Sequence, residues 1–466
     1  MDGCLIYYGM EETLFDKLWN QHLVQSLDGG EDLIAIDRVF LHERTGSVAL
    51  MSLVDSGRKA VRPEHVFCTM DHIVSNKSDR DKDDARTPDG DVFISATRRA
   101  AKKAGVNLID VLDANQGIVH VISPELGIAQ PGLTLVCPDS HTCSQGALGA
   151  LAWGIGSTDA EHAIATGCLR IKKPRQMRIN VDGALGSGVS AKDLVLHIIQ
   201  TLGVDGAKRC AVEFSGDAIS AMSIEERLTL CNMAVEFAAF TAIIAPDETT
   251  IDYVKGKKFA PSGQAWNDAK AYWASLVTDN GAEFDFDYTI KAADVVPTVT
   301  WGTNPSQAVA ITGEVPSLDA SSERALEYMN LRPGTAITDL KIDGAFIGSC
   351  TNARLSDLRI AAKILEGQKV ASGVTAICVP GSMAVRRAAE AEGLDKIFKA
   401  AGFEWGAAGC AFCFYAGGET FSPGSRVISS TNRNFEGRQG PGVRTHLASP
   451  AIVAASALAG RISLTS

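Results

Sequence analysis

The chain has 466 residues, of which 45% are hydrophobic and 21% charged, and a net charge of −11. This length is enough for about two to four globular domains, and the acidic balance argues against nonspecific binding to nucleic acid or to anionic membranes. The longest apolar stretch, 449–460, is too short to span a bilayer. Eleven cysteines without disulfide-like spacing, and no signal-peptide pattern, predict a cytoplasmic protein with no membrane segment.

Short β-rich runs alternate with longer helical patterns along the chain, which predicts an α/β fold. Buried strands are predicted at 133–137, 344–347 and 375–379, and each is followed at once by polar or reactive residues. Because open α/β sheets bind ligands beyond the carboxyl ends of their strands, the residues at these positions are candidates for a site.

Two charged segments interrupt this pattern. The aspartate-rich segment 79–91 is predicted to be a solvated loop, because its sixth and twelfth positions, Asp84 and Gly90, do not fit a calcium-binding EF-hand. The basic run 170–178, which contains Pro174, is predicted to be a surface linker between domains rather than an RNA-binding segment.

The clearest chemical signal is a set of three cysteines. Cys410 and Cys413 form a C-x-x-C pair, and Cys350 lies in the segment 348–352, Gly-Ser-Cys-Thr-Asn. A C-x-x-C alone also fits a redox pair, half of a zinc site or two core cysteines, but no second C-x-x-C completes a zinc site. An iron–sulfur cube normally takes four thiolates. With three, one iron keeps an open position that can act as a Lewis acid.

The remaining cysteines are predicted to be ordinary buried or half-buried thiols. They are Cys4, Cys68, Cys137, Cys143, Cys168, Cys210, Cys231 and Cys378.

Pairs of acidic and imidazole side chains form a second signal. Asp71-His72 and Asp139-Ser140-His141 each bring a carboxylate close to an imidazole, which fixes the tautomer of the imidazole and raises its basicity. A single pair of this kind is usually structural, but two pairs near strand ends favour proton transfer. Further candidates are His120, after a β-like run, and Glu236, four residues after Asn232 on the same face of a predicted helix.

Two arginines lie in the run 432–438, after the C-x-x-C pair. Guanidinium groups grip carboxylates through paired hydrogen bonds, and an acidic protein that binds an acidic substrate must concentrate its positive charge locally. Together, the cysteines and arginines predict a dehydratase that acts on a small di- or tricarboxylic acid. The sequence has no dinucleotide fingerprint and no phosphate-binding P-loop.

These motifs together resemble the aconitase superfamily, and within it they look most like the large subunits of bacterial-type isopropylmalate dehydratases. The resemblance runs from about Met10 to near the end of the chain. Its most specific parts are 70–72, 116–120, 139–142, 230–233, 299–305, 348–352 and 432–440. It implies an aconitase-like fold of three α/β domains, at 1–177, 178–312 and 313–466, around an iron–sulfur cluster.

The resemblance also implies roles for individual residues. One [4Fe-4S] cluster per subunit would be held by Cys350, Cys410 and Cys413. The catalytic network around the departing hydroxyl would consist of Asp71, His72, His120, Asp139, His141 and Glu236. The contacts to substrate or cluster would be Ser140, Asn232, Asn432, Arg433 and Arg438. The swivelling fourth domain of aconitases is lacking, so a separate small subunit is expected to supply it, with a serine base and further arginines.

The implied activity is that of a cytoplasmic hydro-lyase that isomerises 2-isopropylmalate and 3-isopropylmalate in leucine biosynthesis. Two departures from the family pattern lie near the expected site, at 143–146 and 414–419. They leave open a paralogous dehydratase of another 2-hydroxy diacid, of the methylmalate/citraconate or dimethylmalate type. A non-catalytic iron-sensing or RNA-binding regulator is the alternative from another class, and the acidic balance and the retained ligands argue against it.

Overall fold

The computed structural model describes residues 11–317 and 320–464, so the first ten residues of the predicted first domain, Cys4 included, lie outside the described residues. Helices and strands alternate throughout, and the predicted α/β fold is confirmed. Among the described residues, no helix is long and apolar enough to cross a membrane.

The region 14–171 is built around a five-stranded parallel sheet. The strands of this whole region are β1 (Leu23–Leu27), β2 (Glu31–Ala35), β3 (Arg38–His42), β4 (Val66–Thr69), β5 (Asn107–Ile109), β6 (Thr134–Cys137), β7 (Leu151–Gly154) and β8 (Cys168–Ile171). Its helices are α1 (Leu14–His22), α2 (Gly46–Asp55), α3 (Gly90–Ala104), α4 (Val119–Glu125) and α5 (Ser157–Thr166). The parallel sheet has the order β5-β4-β3-β6-β7, and β1, β2 and β8 form a small antiparallel sheet. β4 and β6 are buried along their whole length, as expected for a parallel sheet covered on both faces.

The region 176–291 is built around a second parallel sheet. Its strands are β9 (Gln176–Asp182), β10 (Ala211–Ser215), β11 (Thr241–Ile243) and β12 (Phe286–Lys291), in the order β11-β10-β9-β12. Its helices are α6 (Ala191–Leu202), α7 (Asp217–Ser220), α8 (Ile224–Asn232), α9 (Glu248–Val254) and α10 (Gln264–Trp273). The predicted linker 170–178 is shorter than expected, because both of its ends lie in strands and only 172–175 connect β8 to β9.

The third parallel sheet lies in the region 298–459. The strands here are β13 (Thr298–Thr300), β14 (Ala308–Ala310), β15 (Gly344–Ile347), β16 (Thr375–Cys378), β17 (Phe403–Trp405), β18 (Arg426–Ser429) and β19 (Arg444–Leu447). The helices are α11 (Ala320–Met329), α12 (Leu355–Leu365), α13 (Met383–Ala391), α14 (Leu394–Ala401) and α15 (Pro450–Ala459). The sheet has the order β17-β16-β15-β18-β19, and β13 pairs with β14 as a hairpin. The three strands predicted from the sequence correspond to β6, β15 and β16.

Two large hydrophobic clusters hold these layers together. One contains buried residues from Leu14 to Val295 and joins the first two sheets, and the other runs from Val299 to Ile462 around the third sheet. The domain boundaries at 177 and 312 stay predictions. A separate small cluster contains all three candidate cysteine ligands with apolar neighbours, and it marks the candidate site.

Candidate active site

The candidate site lies where strands of the first and third sheets end. In the first sheet, Asp71 follows β4 and Asp139 follows β6, and in the third sheet Cys350 follows β15. The cysteine loop is tied to the first sheet by the backbone N–H of Cys410, which donates to the carbonyl oxygen of Asp71 at 2.8 Å. The polar residues predicted beyond the strand ends therefore come together.

The three predicted cysteine ligands share one cavity. Cys350, Cys410 and Cys413 are free, buried thiols, and all three line a cavity of about 130 Å³. The other described cysteines are buried or half-buried thiols, as predicted. They are Cys68, Cys137, Cys143, Cys168, Cys210, Cys231 and Cys378.

Most of the other predicted site residues also face this cavity. Besides the thiols, it is lined by Arg44, His72, Ile118, His120, Asp139, Ser140, His141, Ser349, Phe414, Asn432, Arg433 and Arg438. The three predicted residues that do not line it are Asp71, Asn232 and Glu236, and each is hydrogen-bonded to a residue that does. The structure therefore brings the whole predicted set together.

The spacing of the thiols fits a polynuclear cluster better than a single metal ion. Thiolates at about 2.3 Å from one zinc ion lie about 4 Å from each other. Within the described ranges, three or more His, Cys, Asp or Glu ligand atoms come within 4.8 Å of one another only at His42, Glu43, Asp71 and His72. The three thiols therefore do not all lie as close together as ligands of one ion would, and they line a common cavity.

The C-x-x-C pair is prepared to bind metal as a thiolate. A hydrogen bond from Cys410 lowers the pKa of Cys413 to about 6 against the effect of burial, and the charges of Arg438, His72 and Arg86 add to this lowering. The same hydrogen bond and burial raise the pKa of Cys410 well above its ordinary value. Because the thiolate is the metal-binding form of cysteine, one ligand of the pair is available at neutral pH.

Two amides surround the sulfur of Cys350. Burial raises the pKa of this thiol to about 11, although the hydrogen bond from Asn232 opposes the rise. Nδ2 of Asn232 donates to the sulfur at 3.1 Å and Nδ2 of Asn432 at 3.4 Å. The hydroxyl of Thr351 in turn donates to Oδ1 of Asn232 at 2.8 Å. Such hydrogen bonds orient and tune a metal ligand, so both predicted asparagines contact the ligand set.

The backbone beside the cysteines is strained and held from outside. Ser349 has a φ of 76° and Ala411 a φ of 50°, a left-handed conformation that residues other than glycine rarely adopt. The buried guanidinium of Arg86 donates to the carbonyl oxygen of Ala411 and, at 2.8 Å, to that of Phe414. Strained conformations persist where the surrounding structure fixes them, and Arg86 fixes the one at Ala411.

Arg86 was not among the predicted site residues, because it lies in the segment predicted to be a solvated loop. The aspartates of 79–91 are exposed, but Arg80 and Arg86 are buried, so the prediction is wrong for these two residues. Arg80 donates to the carbonyl oxygen of Ala408 at 2.8 Å and to Oε1 of Gln116 at 2.6 Å. Arginines among aspartates usually signal exposed ion pairs, so the sequence offered little sign of their role.

A chain of hydrogen bonds joins the first acid–imidazole pair to the second. Nδ1 of His72 lies 2.6 Å from Oδ1 of Asp71, and its Nε2 lies 3.4 Å from Oδ2 of Asp139. Oδ1 of Asp139 is 2.8 Å from Nε2 of His120. Burial alone lowers the pKa of His72, but Asp71 and Asp139 outweigh it and raise the pKa well above its usual value. Burial alone raises the pKa of Asp139, but the imidazoles around it lower that pKa well below its usual range.

Glu43, which was not among the predicted site residues, supports this network from behind. Its carboxylate accepts from the backbone N–H groups of Asp71 at 3.0 Å, His72 at 2.7 Å and Ile73. The ring of His42 stacks on that of His72 with 4.0 Å between centroids. These contacts explain why four potential metal ligands lie so close together here. The signal in the sequence was the position of Glu43 just past the end of β3.

A second carboxylate links His141 to Arg433. Nε2 of His141 lies 2.7 Å from Oε1 of Glu236, and Nε of Arg433 donates to both oxygens of Glu236, at 2.8 and 3.1 Å. Burial raises the pKa of Glu236, but His141 and Arg433 outweigh it and the net shift is a lowering. Ser140 lies beside this group, with its Oγ 3.4 Å from Nδ1 of His141.

Two local predictions need correction. Asn232 and Glu236 do not lie on one α-helix, because α8 ends at Asn232 and Glu236 lies in the 3₁₀ helix Met233–Phe237 that follows. His120 does not follow a strand but lies in the first turn of α4. In both cases the side chain still reaches the site.

Arg438 is the one predicted arginine with an unsatisfied donor. Its guanidinium carbon lies 5.8 Å from the ring centroid of Phe414 and 5.2 Å from that of Phe435. Its Nε is buried and has no hydrogen-bond partner among the described residues. A buried donor without a partner is costly, and a carboxylate in the cavity is the kind of ligand that would satisfy it.

Comparison with known protein families identifies the family to which the chain belongs. A family profile described as aconitase family (aconitate hydratase) matches residues 16–460. The chain therefore belongs to the aconitase family, whose members are hydro-lyases that typically bind an iron–sulfur cluster. A similar solved structure is the holo-form of aconitase X from Thermococcus kodakaraensis, at 14% identity over 86% of this chain and 84% of that chain, with a TM-score of 0.45. The predicted aconitase-like fold is confirmed.

Proposed function

We propose that this chain is the large, catalytic subunit of a [4Fe-4S] hydro-lyase that isomerises 2-isopropylmalate and 3-isopropylmalate in leucine biosynthesis. The observation that carries the proposal is the single cavity onto which three thiols, three imidazoles and the arginines Arg433 and Arg438 open. Family membership supports the reaction type. The motifs at 301–305 and 438–447 support the substrate, because they resemble the isopropylmalate branch.

The cluster would be held by Cys350, Cys410 and Cys413, one per chain. When bound, a cluster with one iron free of thiolate supplies a Lewis acid for the departing hydroxyl. The protein's own contribution is to shape the site in advance. Asn232 places an N–H on the sulfur of Cys350, and Arg86 fixes the strained backbone between the other two ligands.

His72 is placed to give a proton to the leaving hydroxyl. Asp71 holds the Nδ1 side of its ring at 2.6 Å, so that Nε2 faces the cavity. Asp139 lies 3.4 Å from this nitrogen and is itself held by His120. A positioned imidazole of this kind acts as general acid in dehydration and as general base in the reverse hydration.

The arginines would bind the carboxylates of the substrate. Glu236 uses Nε of Arg433 and fixes the plane of its guanidinium, which leaves the terminal nitrogens for a ligand. Arg438 lines the same cavity and has a buried Nε without a partner among the described residues. Planar, two-pronged donors fix the orientation of a carboxylate, and orientation is a large part of catalysis in bimolecular steps.

The base that removes the proton from the adjacent carbon is, in this proposal, a serine of a separate small subunit. Among the described residues, the serines that line the cavity are Ser140 and Ser349. Ser140 lies beside His141, and the hydroxyl of Ser349 lies 3.9 Å from the sulfur of Cys350. The resemblance to aconitases, in which a separate swivelling domain supplies the serine base, supports a base from a partner chain.

The test is an assay of the anaerobically reconstituted chain with its small subunit on 2- and 3-isopropylmalate, with methylmalate and dimethylmalate as competitors. Interconversion of the two isopropylmalates at the highest kcat/KM supports the proposal. A higher kcat/KM for another diacid would transfer the assignment to that substrate. Cluster-free protein with full activity would overturn the mechanism.

A further inference from the structure

A third arginine, Arg44, stands at the mouth of the cavity. It follows β3, the central strand of the first sheet, and so occupies the same edge of the sheet as Asp71 and Asp139. Its side chain is exposed overall but lines the cavity that contains the thiols. The neighbouring residues are fixed, because Glu43 is held by backbone N–H groups and Thr45 donates to the carbonyl oxygen of Pro138 at 2.8 Å.

The guanidinium of Arg44 rests on an aromatic ring rather than on an acid. Its central carbon lies 4.4 Å from the ring centroid of Phe414, the residue directly after the cysteine ligand Cys413. Within the ranges 11–317 and 320–464, it forms no hydrogen bond or ion pair. A cation above an aromatic face is held in place without losing its donors, so all five N–H groups remain available to a ligand.

The charges around the cavity favour an anion with two carboxylates. Arg44 and Arg438 approach the same ring of Phe414, at 4.4 and 5.8 Å, and neither is paired with an acid. Arg433 is already bound to Glu236. The acidic residue that lines the cavity is Asp139, whose oxygens face imidazoles, so neither of these two guanidinium groups is paired with a carboxylate.

We propose that Arg44 is a specificity-determining residue that binds one carboxylate of a diacid substrate, with Phe414 as its platform. The inference rests on the proposed function, because it deepens the recognition of the substrate in the same cavity. Phe414 lies in one of the two segments that depart from the family pattern, and its role here gives that departure a function.

The test compares two ligands that differ by one carboxylate. Binding of 3-isopropylmalate and of 2-hydroxy-4-methylpentanoate, which lacks one carboxylate, is measured by calorimetry on the cluster-loaded chain with its small subunit. Arg44→Gln should weaken binding of the diacid by about 10- to 100-fold, the range for one charged hydrogen-bonded contact, and leave binding of the monoacid nearly unchanged. Arg44→Lys should give an intermediate loss, because it keeps the charge but not the planar fork.

Two further variants separate recognition from general effects. Phe414→Leu should weaken diacid binding. When Arg44→Gln is added to Phe414→Leu, it should weaken diacid binding by a smaller factor than it does alone, because the effects of residues that act together are not additive. Arg99→Gln removes an exposed arginine from α3 and should leave both ligands unaffected. Cluster absorbance and thermal unfolding report whether each variant is folded.

Each outcome bears on the inference. Equal loss for the diacid and the monoacid, or no loss for either, overturns it and leaves the proposed function standing. Weaker association with the small subunit at unchanged diacid binding assigns Arg44 to a subunit contact and also overturns it. Arg44-dependent binding of methylmalate without binding of 3-isopropylmalate supports the inference and overturns the substrate in the proposed function. Failure of every diacid to bind overturns both.

Discussion

Both carboxylate oxygens of Glu236 accept the single N–H at Nε of Arg433, at 2.8 and 3.1 Å, while Oε1 lies 2.7 Å from Nε2 of His141. The side chain of Glu236 is only 8% exposed, so it joins a cation and an imidazole in a largely dry setting. Removal of either Glu236 or Arg433 leaves the charge of the other uncompensated. The orientation of the Arg433 guanidinium therefore depends on the carboxylate of Glu236.

The first prediction concerns this pair. Glu236→Gln and Arg433→Lys should each lower kcat/KM by about 10- to 100-fold or more, because each removes a charged hydrogen bond that positions a substrate ligand. The cluster absorbance should be unchanged. The control is Arg178→Lys, which alters an exposed arginine paired with Asp287. Wild-type kcat/KM in both site variants would remove the pair from the mechanism.

The second prediction concerns the thiols. Serine at Cys350, Cys410 or Cys413 should abolish the brown chromophore and the bound iron and sulfide, because each thiol is a ligand in the proposed site. Cys231→Ser and Cys378→Ser change equally buried thiols outside the cavity and should keep the cluster. Iron and sulfide analysis of anaerobic protein is the measurement. Stoichiometric zinc without iron in the wild type would contradict the cluster assignment.

The third prediction concerns Arg86. Arg86→Gln removes donors to the carbonyl oxygens of Ala411 and Phe414, so the strained turn between the C-x-x-C cysteines loses its support. The cluster should be lost several times faster in air than in the wild type, measured as the decay of absorbance after exposure to oxygen. Arg99→Gln, at an exposed site on α3, should decay like the wild type. If the absorbance of Arg86→Gln decays at the wild-type rate, the turn between the cysteines does not depend on Arg86.

The sequence predicted those parts of the site that follow local rules. Strands that end in polar residues place Asp139 and Cys350 correctly, because the carboxyl ends of parallel strands define one edge of a sheet. Tertiary contacts decided the rest. Arg86 is buried by a cysteine loop that lies more than three hundred positions away, and no local pattern reports such a contact.

The local structure around Glu236 and His120 shows a second limit. A helical spacing from Asn232 to Glu236 predicts one face of an α-helix, but the chain tightens into a 3₁₀ turn that ends at Ala238 with a φ of 64°. Asn232 and Glu236 therefore both lie at the site, but the backbone between them is not the continuous α-helix that their spacing implies. Residue identity thus carried more information about the site than the predicted secondary structure did.

The fourth prediction is a pH dependence of stability away from the site. At the end of α1, Nε2 of His22 lies 2.8 Å from Oδ2 of Asp37, and its Nδ1 lies 2.7 Å from the carbonyl oxygen of Leu18. Burial lowers the pKa of His22, but these two bonds outweigh it and raise the pKa above 6.5. The folded state therefore binds the proton more tightly than the unfolded state. The resulting stabilisation is complete below about pH 6.5 and is lost as the pH rises through the folded value.

His22→Gln should therefore lower the urea midpoint more at pH 5.5 than at pH 8.5, with a difference equivalent to about 1 kcal/mol. Asp37 is ionised at both pH values, since its pKa is lowered from 3.8 by His22 and Thr134 against the effect of burial. The control is His162→Gln, at an exposed position in α5. An equal loss at the two pH values would show that the imidazolium is not the stabilising form.

The last prediction concerns the partner. In the proposed mechanism, the imidazoles and a cluster iron without a thiolate would act on the C–OH bond. Elimination also needs a base at the adjacent carbon, which the proposal assigns to a separate small subunit. An active site whose catalytic residues are divided between two chains loses most of its catalytic rate when one chain is absent, because positioning supplies much of the acceleration. The isolated chain should therefore bind its cluster and still be nearly inactive. Titration with the cognate small subunit should restore turnover in a saturable way, and the two should co-purify. Full dehydratase activity of the pure chain alone would place the base within these 466 residues and would end the two-subunit proposal.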